Sequence, residues 1–312
     1  MGQHEVPVAA PMTLPRAIVA PGNYDGVHLG HRALLATARD AARPGEPVTV
    51  LTFDPHPAVV LSPLRAPTPL TLIARREALL RRLGADVVEV VRFDKGFAAQ
   101  SAEAFVADVL VRRLHARAVV VGPDFRFGKG RTGGVATLRE AGLEAREVAP
   151  VEHDGAVVSS TRIRGALREG HVEDAARWLG RVHDVGGTVV RGDGRGRTIG
   201  VPTANLACEP VLLPADGVYA VVARVAGDDA VLRGVANLGV RPTVGAGRSV
   251  EAHFFDFEGD LYDRDLRLGF VTRLRGEQRF DGLPALTRQI ALDAARARAD
   301  LDAAHRESWS LL

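Results

Sequence analysis

Gly22-Asn23-Tyr24-Asp25-Gly26-Val27-His28-Leu29-Gly30-His31 follows a short apolar run, Ala17 to Ala20, and opens a stretch of helical periodicity, Leu29 to Arg43. Strand end, glycines and helix start coincide here. A helix N-terminus offers unpaired N–H groups and the positive end of the helix dipole to an anion. Gly22, Gly26 and Gly30 let the backbone come close to a phosphate. His28 and His31 are three apart and share one face of a helix. Both can donate hydrogen bonds to the oxygens of a phosphate under attack. Read without its position, the same stretch is a capped helix start with two solvated histidines.

Outward from this stretch the pattern repeats. Val48 to Phe53, Val87 to Val91 and Ala118 to Val121 are further apolar runs, as expected of strands buried on both faces. Leu72 to Leu83 and Ser101 to Leu114 have helical periodicity. The alternation predicts a parallel sheet wrapped by helices, with ligands beyond the carboxyl ends of the strands. Past about residue 183 the pattern changes. Val185 to Val190, Val218 to Val225, Val231 to Leu238, Val250 to Phe257 and Leu266 to Leu274 read as strands separated by Gly, Pro and Asp. They predict an antiparallel barrel or sandwich, closed by one helix from Pro284 to His305. Arg162 to Leu179 reads as helical and as the bridge between the halves. The expected division is a tail at 1–15, an α/β domain at 16–182 and a mainly β domain at 183–312.

Composition narrows the function classes. The chain of 312 residues has a net charge of +2, and its only lysines are Lys95 and Lys129. Arginines scatter among acidic residues and aromatics make up 5%, so a basic stripe for nucleic acid is not expected. No apolar run reaches the roughly 20 residues of a membrane helix, so no membrane association is expected. The one cysteine, Cys208, excludes an intrachain disulfide and fits a reducing cytoplasm.

Four more segments carry chemistry. Thr52-Phe53-Asp54-Pro55-His56-Pro57 ends the second strand. The segment Val121 to Gly133 combines glycines, cations, Asp124 and the paired Phe125 and Phe127, a set suited to ring stacking and phosphate contact; the bland alternative is a surface loop. Ser159-Ser160-Thr161-Arg162-Ile163-Arg164 caps a helix and offers hydroxyls, free N–H groups and guanidinium groups to an anion. Gly187 to Asn205 is too rich in Gly and Arg for a core strand, yet it fits neither a P-loop nor a G-x-G-x-x-G pattern. It reads as a phosphate-cradling loop or a turn between strands. Thr203 and Asn205 within it offer hard oxygens suited to magnesium.

Together these motifs resemble bacterial bifunctional riboflavin kinase/FMN adenylyltransferases, in family order from about Ile18 to Arg298. Tyr24 stands where the family usually has Phe, and Asp263 follows Leu261-Tyr262 where Gly is usual. The resemblance implies a Rossmann-like nucleotidyltransferase domain with a parallel sheet, then an antiparallel Greek-key barrel with a C-terminal helix. It implies phosphorylation of riboflavin to FMN and adenylylation of FMN to FAD, with ATP as co-substrate and Mg2+ as cofactor.

In the N-terminal half it implies His28 and His31 as catalytic residues. The ATP site there takes in Gly22, Asn23, Asp25, Gly26, Gly30, His56, Asp124, Ser160, Thr161, Arg162 and Arg164. In the C-terminal half the family signature Gly-x-Gly-Arg-x-x-Gly-x-Pro-Thr-Ala-Asn aligns from Gly194 to Asn205. It implies Gly192, Gly194, Arg195, Gly196, Arg197, Gly200 and Pro202 at ATP, and Thr203 and Asn205 at the metal. Gly234 to Thr243 and Val250 to Phe257 also resemble the family. Glu251 would be the general base that the ribityl hydroxyl requires; read alone, it is a solvated carboxylate on an outer face. Arg275 and Glu277 would lie near the flavin, or form a surface pair. The implied partners are small molecules, with room for a weak homo-oligomer. Loss of activity in one domain, a nucleotide-sensing or RNA-binding role, and a scaffold role are the competing readings.

Overall fold

A computed structural model describes residues 16–192, 200–240 and 248–312. The expected tail at 1–15, Gly194, Arg195, Gly196 and Arg197 of the second signature, and Arg241 to Thr243 lie outside the described residues. Contacts group the chain into two compact units. One runs to Asn23 and takes in Ala33–Leu64 and Leu83–Ala149; the other is Tyr24–Arg32, Arg65–Arg82 and Pro150–Leu312. The histidine turn and the 65–82 segment thus belong with the later part of the chain.

In chain order the earlier elements are β1 (Ala17–Pro21), α1 (Leu29–Ala41), β2 (Val48–Asp54), α2 (Pro57–Leu61), α3 (Ile73–Arg82), β3 (Val87–Arg92) and α4 (Lys95–Ala98). A turn of helix, α5 (Ala102–Ala104), runs on as a π-helical stretch, Phe105–Arg113. Then come β4 (Ala116–Val121), α6 (Val135–Glu140) and β5 (Glu144–Glu147). The five strands form one sheet in the order β3-β2-β1-β4-β5, every pair parallel. Strands β1 and β4 are buried at every position, which is why Ala17 to Ala20 and Ala118 to Val121 read as apolar runs. The core of this unit packs Val19, Leu51, Phe105, Leu110, Val119 and Leu138.

The second unit holds a short hairpin, β6 (Glu152–His153) with β7 (Ala156–Val157), and two helices, α7 (Ser160–Glu169) and α8 (Val172–Leu179). The helical stretch expected over 162–179 consists of these two helices. Gly170 takes φ +84° and caps α7 in the left-handed conformation, which stops the helix. The strands β8 (His183–Val190), β9 (Ala204–Cys208), β10 (Gly217–Val225), β11 (Val231–Val240), β12 (Arg248–Phe254) and β13 (Asp265–Arg275) follow, then α9 (Leu283–Ala303). They close a six-stranded antiparallel barrel in the order β10-β11-β12-β9-β8-β13, and β13 returns to β10. The barrel is thus the outcome, not the sandwich.

Alternation sorts the wall residues. Val185, Val189, Leu206, Tyr219, Val221, Ala236, Leu238, Val250, Ala252, Leu268 and Phe270 form one cluster that continues into Ile163, Leu167, Trp178 and Leu179 of α7 and α8. The opposite parity of β10, Val218, Ala220 and Val222, packs with Ala297 and Leu301 of α9. Strand β10 is therefore buried on both faces, whereas β12 alternates, with Glu251 and His253 half-buried between buried Val250, Ala252 and Phe254.

Candidate functional site

Three expected site segments of the first unit fall at the carboxyl ends of parallel strands of one sheet. Gly22 follows β1, and its N–H donates to the Leu51 carbonyl at 2.9 Å. The Asn23 carbonyl accepts from Thr52 Oγ1 at 3.2 Å. His56 follows β2 and caps α2, its Nδ1 accepting from the Ala58 N–H at 3.1 Å. Asp124 follows β4 and is exposed. The two nearby aromatics are not both open to a ligand. Phe127 is buried, 5.1 Å from Phe105 in the core, and Phe125 packs on it at 5.4 Å. Ring stacking by the pair, as the sequence suggested, gives way to core packing at Phe127.

In the second unit the histidine turn is anchored by Asp25, which is 3% exposed. Its carboxylate accepts from the N–H groups of Leu70 and Thr71 at 3.0 Å and from Arg164 Nη2, with Arg76 at 3.7 Å. Thr71 Oγ1 in turn accepts from the Gly26 N–H at 3.1 Å. Gly26 has φ +85°, and a Cβ there would meet Leu70 Cδ1 at 2.8 Å, so its open face is taken up by Leu70. Gly30 makes room for the His28 ring, which a Cβ would approach to 3.1 Å.

The two rings stack at 3.7 Å and 22°, and Tyr24 lies 4.8 Å from His31. The His28 N–H donates to His31 Nδ1 at 3.2 Å, which assigns the proton of a neutral His31 ring to Nε2. His28 Nδ1 is buried with no hydrogen-bond partner among the described residues. Burial above all pulls the His28 pKa down to about 4; Asp25 opposes this, while Arg181 and Arg164 add to it. His31 is lowered too, by burial and then by His28, Arg76 and Arg181. Both rings are therefore neutral near pH 7.

At the start of α7, Ser159 caps the helix by accepting from the Arg162 N–H at 3.2 Å, and Ser160 Oγ donates to the Asp25 carbonyl at 2.8 Å. Thr161 is exposed. The two arginines meet protein acceptors. Arg162 Nη1 donates to the carbonyls of His153 and Ala156 at 3.0 and 2.8 Å, and its guanidinium lies 3.9 Å above the Trp178 ring. Arg164 Nε donates to the Thr68 carbonyl at 2.8 Å, besides its bond to Asp25.

On the outer face of the barrel a polar row crosses three strands. Asn205 of β9, Glu251 of β12 and Asn237 of β11 are successive cross-strand partners. Residues directly opposite in antiparallel strands project to the same face, and the inward parity is filled by Leu206, Val250, Ala252, Ala236 and Leu238. Asn205 is 8% exposed and lies against Gly192, where a Cβ would come within 2.3 Å of its Nδ2. Thr203 is half-buried one residue before β9. The Pro202 carbonyl is 2.8 Å from His253 Nδ1, and Gly200 takes φ +77°.

Arg275 is held by Asp293 of α9, with Nε to its two carboxylate oxygens at 3.2 and 2.9 Å, so it is not paired with Glu277. Glu277 is exposed and lies over Gly239, where a Cβ would meet its Oε1 at 2.2 Å. Asp263 takes φ +60°, a left-handed conformation that Asp tolerates. Among the described residues, no three His, Cys, Asp or Glu side chains group as a metal site, and no helix is long and apolar enough to cross a membrane.

Residues 10–162 match the family model for FAD synthetase, and residues 179–301 match that for riboflavin kinase. The bifunctional riboflavin kinase/FMN adenylyltransferase of Escherichia coli (strain K12) is 40% identical over 287 residues, covering 90% of this chain and 91% of its own length. The chain belongs to the bifunctional riboflavin kinase/FMN adenylyltransferases. A family member from Pseudomonas fluorescens is 42% identical over 285 residues, covering 89% of this chain and 91% of its own. One from Bacillus subtilis (strain 168) is 36% identical over 293 residues, covering 90% and 92%. A solved structure described as a macrolide-efflux protein from Streptococcus pneumoniae matches with a TM-score of 0.84 at 32% identity, covering 92% of this chain and 95% of its own. As a bifunctional riboflavin kinase/FMN adenylyltransferase, the chain converts riboflavin to FMN and FMN to FAD, with ATP as co-substrate.

Sequence reasoning missed Leu70, Thr71, Arg76, Arg181 and Asp184. None sits in a motif, and each meets the histidine turn or its supports through contacts distant along the chain. Asp184 is the clearest case. It receives Arg75 Nε and Nη2 at 3.0 and 2.8 Å and Arg267 Nη1 at 2.9 Å, with Arg181 at 3.7 Å.

Proposed function

We propose that FMN adenylylation runs on the stacked His28/His31 turn with the N-terminus of α7, and that riboflavin phosphorylation runs on the outer-face row around Glu251. In the first reaction an FMN phosphate oxygen attacks the α-phosphorus of ATP, and the bond to the β-phosphate oxygen breaks to release pyrophosphate. FMN phosphate is already an anion, so no covalent nucleophile is required. The His31 Nε2–H, a neutral donor, meets negative charge as it builds on the α-phosphate. Ser160, Thr161 and the α7 N-terminus take the outgoing phosphates. Arg162 and Arg164 act mainly by fixing that N-terminus and Asp25. Asp25 and Gly26 hold the turn, and Gly22, Asn23, His56 and Asp124 serve ATP from the sheet edge.

In the second reaction Glu251 takes the proton of the ribityl 5′-hydroxyl as its oxygen attacks the γ-phosphorus of ATP, and ADP leaves. The observation that carries this reading is the register Asn205–Glu251–Asn237: a carboxylate between two amides on a rigid wall. The hydroxyl of Thr203 and the amide oxygen of Asn205 are hard donors of the type Mg2+ takes, and Gly192 leaves space beside Asn205. When bound, Mg2+ would supply charge neutralisation at the phosphates. Gly192, Gly200 and Pro202 would shape the ATP side, and Arg275 and Glu277 the flavin side.

We assign the adenylyltransferase to 16–182 and the kinase to 183–312, in a cytoplasmic chain acting on small molecules rather than nucleic acid or membrane. The test is the fate of labelled ATP with purified chain, riboflavin and magnesium. Label from the γ-position should enter FMN and persist into FAD; label from the α-position should enter FAD alone. Label from the γ-position absent from FMN would remove the kinase assignment.

A further inference from the structure

Arg181 lies in no motif, yet it is 3% exposed beside the histidine turn. Two contacts cross between its corner and that turn. Arg181 Nη1 donates to the Val27 carbonyl at 3.4 Å, and Arg32 Nη2 donates back to the Gly180 carbonyl at 3.1 Å. Val27 and Arg32 bracket His28 and His31. Gly180 has φ +67°, and a Cβ there would meet Arg32 Nη1 and Leu29 Cδ2, each at 2.8 Å, so the corner fits closely.

Arg181 Nε is buried with no hydrogen-bond partner among the described residues. Its nearest carboxylate oxygen, on Asp184, is 3.7 Å away. Asp184 is already bound by Arg75 and Arg267 at 2.8 to 3.0 Å. Asp184 is shared by three guanidinium groups, and Arg181 makes the longest of the three contacts.

We propose that Arg181 is a positioning residue for adenylyl transfer, pinning the Val27–Arg32 turn so that the stacked His28 and His31 rings face the nucleotide phosphates. This rests on the assignment of His28 and His31 to that reaction. The groups facing the rings are Asp25 and Arg164 at His28, Arg76 and His28 at His31, and Arg181 at both, with the two rings stacked on each other. Of these, Asp25 favours a charged ring and the arginines oppose it. Removing Arg181 removes one opposing cation, so both rings take up a proton at higher pH.

The test uses the full chain with Arg181→Met, Arg181→Lys and His28→Asn, measuring FMN adenylylation and riboflavin phosphorylation separately as pH is varied. Arg181→Met should lower kcat for FAD formation on the order of tenfold to a hundredfold. KM for ATP should change much less, and the acid limb of the profile should move to higher pH. Riboflavin phosphorylation should stay unchanged. Arg181→Lys should restore the acid limb but only part of kcat. An unaltered kcat and acid limb in Arg181→Met, with FAD formation lost in His28→Asn, would overturn the role of Arg181 alone. FAD formation kept in His28→Asn would overturn the assignment beneath it. A joint loss of both activities with a lower Tm would make Arg181 merely structural and overturn the proposal.

Discussion

Glu251 and Asn205 stand directly opposite one another on the antiparallel strands β12 and β9, on the outer face of the barrel. Cross-strand neighbours of this kind have Cβ atoms about 5 Å apart, so the proposed base and the proposed metal donor are held at a fixed spacing by the wall itself. Glu251→Gln keeps the shape and removes the proposed base. It should slow riboflavin phosphorylation on the order of a hundredfold to ten-thousandfold and leave adenylylation of added FMN unchanged. Initial rates of the two products, measured separately, check this.

Gly192 leaves the space that the Asn205 side chain fills: a Cβ at this position would lie 2.3 Å from Asn205 Nδ2. Gly192→Ala should therefore push Asn205 off its position. The expected outcome is a higher KM for ATP in the kinase reaction with little change in adenylylation, read from steady-state kinetics at varied magnesium. An unchanged KM would mean that Asn205 does not hold the metal.

Much of the fold was legible in the sequence, and the reason is burial. Strands β1 and β4 are enclosed on both faces and so read as apolar runs. Strand β5, Glu-Ala-Arg-Glu at the sheet edge, shows almost no apolar signal and was missed. Strand β9 was hidden because Ala204 and Asn205 sit inside a Gly- and Arg-rich stretch that read as a loop. The break between α7 and α8 hangs on the φ of Gly170, which a helical period does not reveal. The candidate site residues of the motifs are neighbours along the chain, but Thr71 meets Asp25 across 46 positions and Arg75 meets Asp184 across 109. Pairings at that range come from the fold, not from local spacing.

Thr71 should matter to stability. Its hydroxyl satisfies the buried Gly26 N–H. Thr71→Val has nearly the same shape but strands that donor, which costs about 1–3 kcal/mol. Thr71→Ser should recover most of the loss. Chemical denaturation of the three proteins, with the adenylylation rate alongside, checks both statements.

Asp184 predicts an acid-sensitive fold. Its arginine neighbours, Arg75 first, hold its pKa at about 2 against an ordinary 3.8, despite burial. A carboxylate depressed in the folded state contributes stability above its unfolded pKa, and the contribution is lost as pH falls from about 4 towards 2. The shift corresponds to about 2 kcal/mol. Asp184→Asn should flatten that window. At neutral pH it should also cost about 3–5 kcal/mol, because buried Arg75 and Arg181 lose their counter-charge. Unfolding free energies across the acid range give both quantities.

The central claim is that two separate sites in one chain carry the two steps, and a chromatographic time course with riboflavin, ATP and magnesium tests it most directly. The unaltered chain should form FMN and then FAD. Glu251→Gln should leave riboflavin unconverted yet turn added FMN into FAD, and His28→Asn should accumulate FMN without FAD. FAD formed from riboflavin at the unaltered rate by either variant would contradict the account.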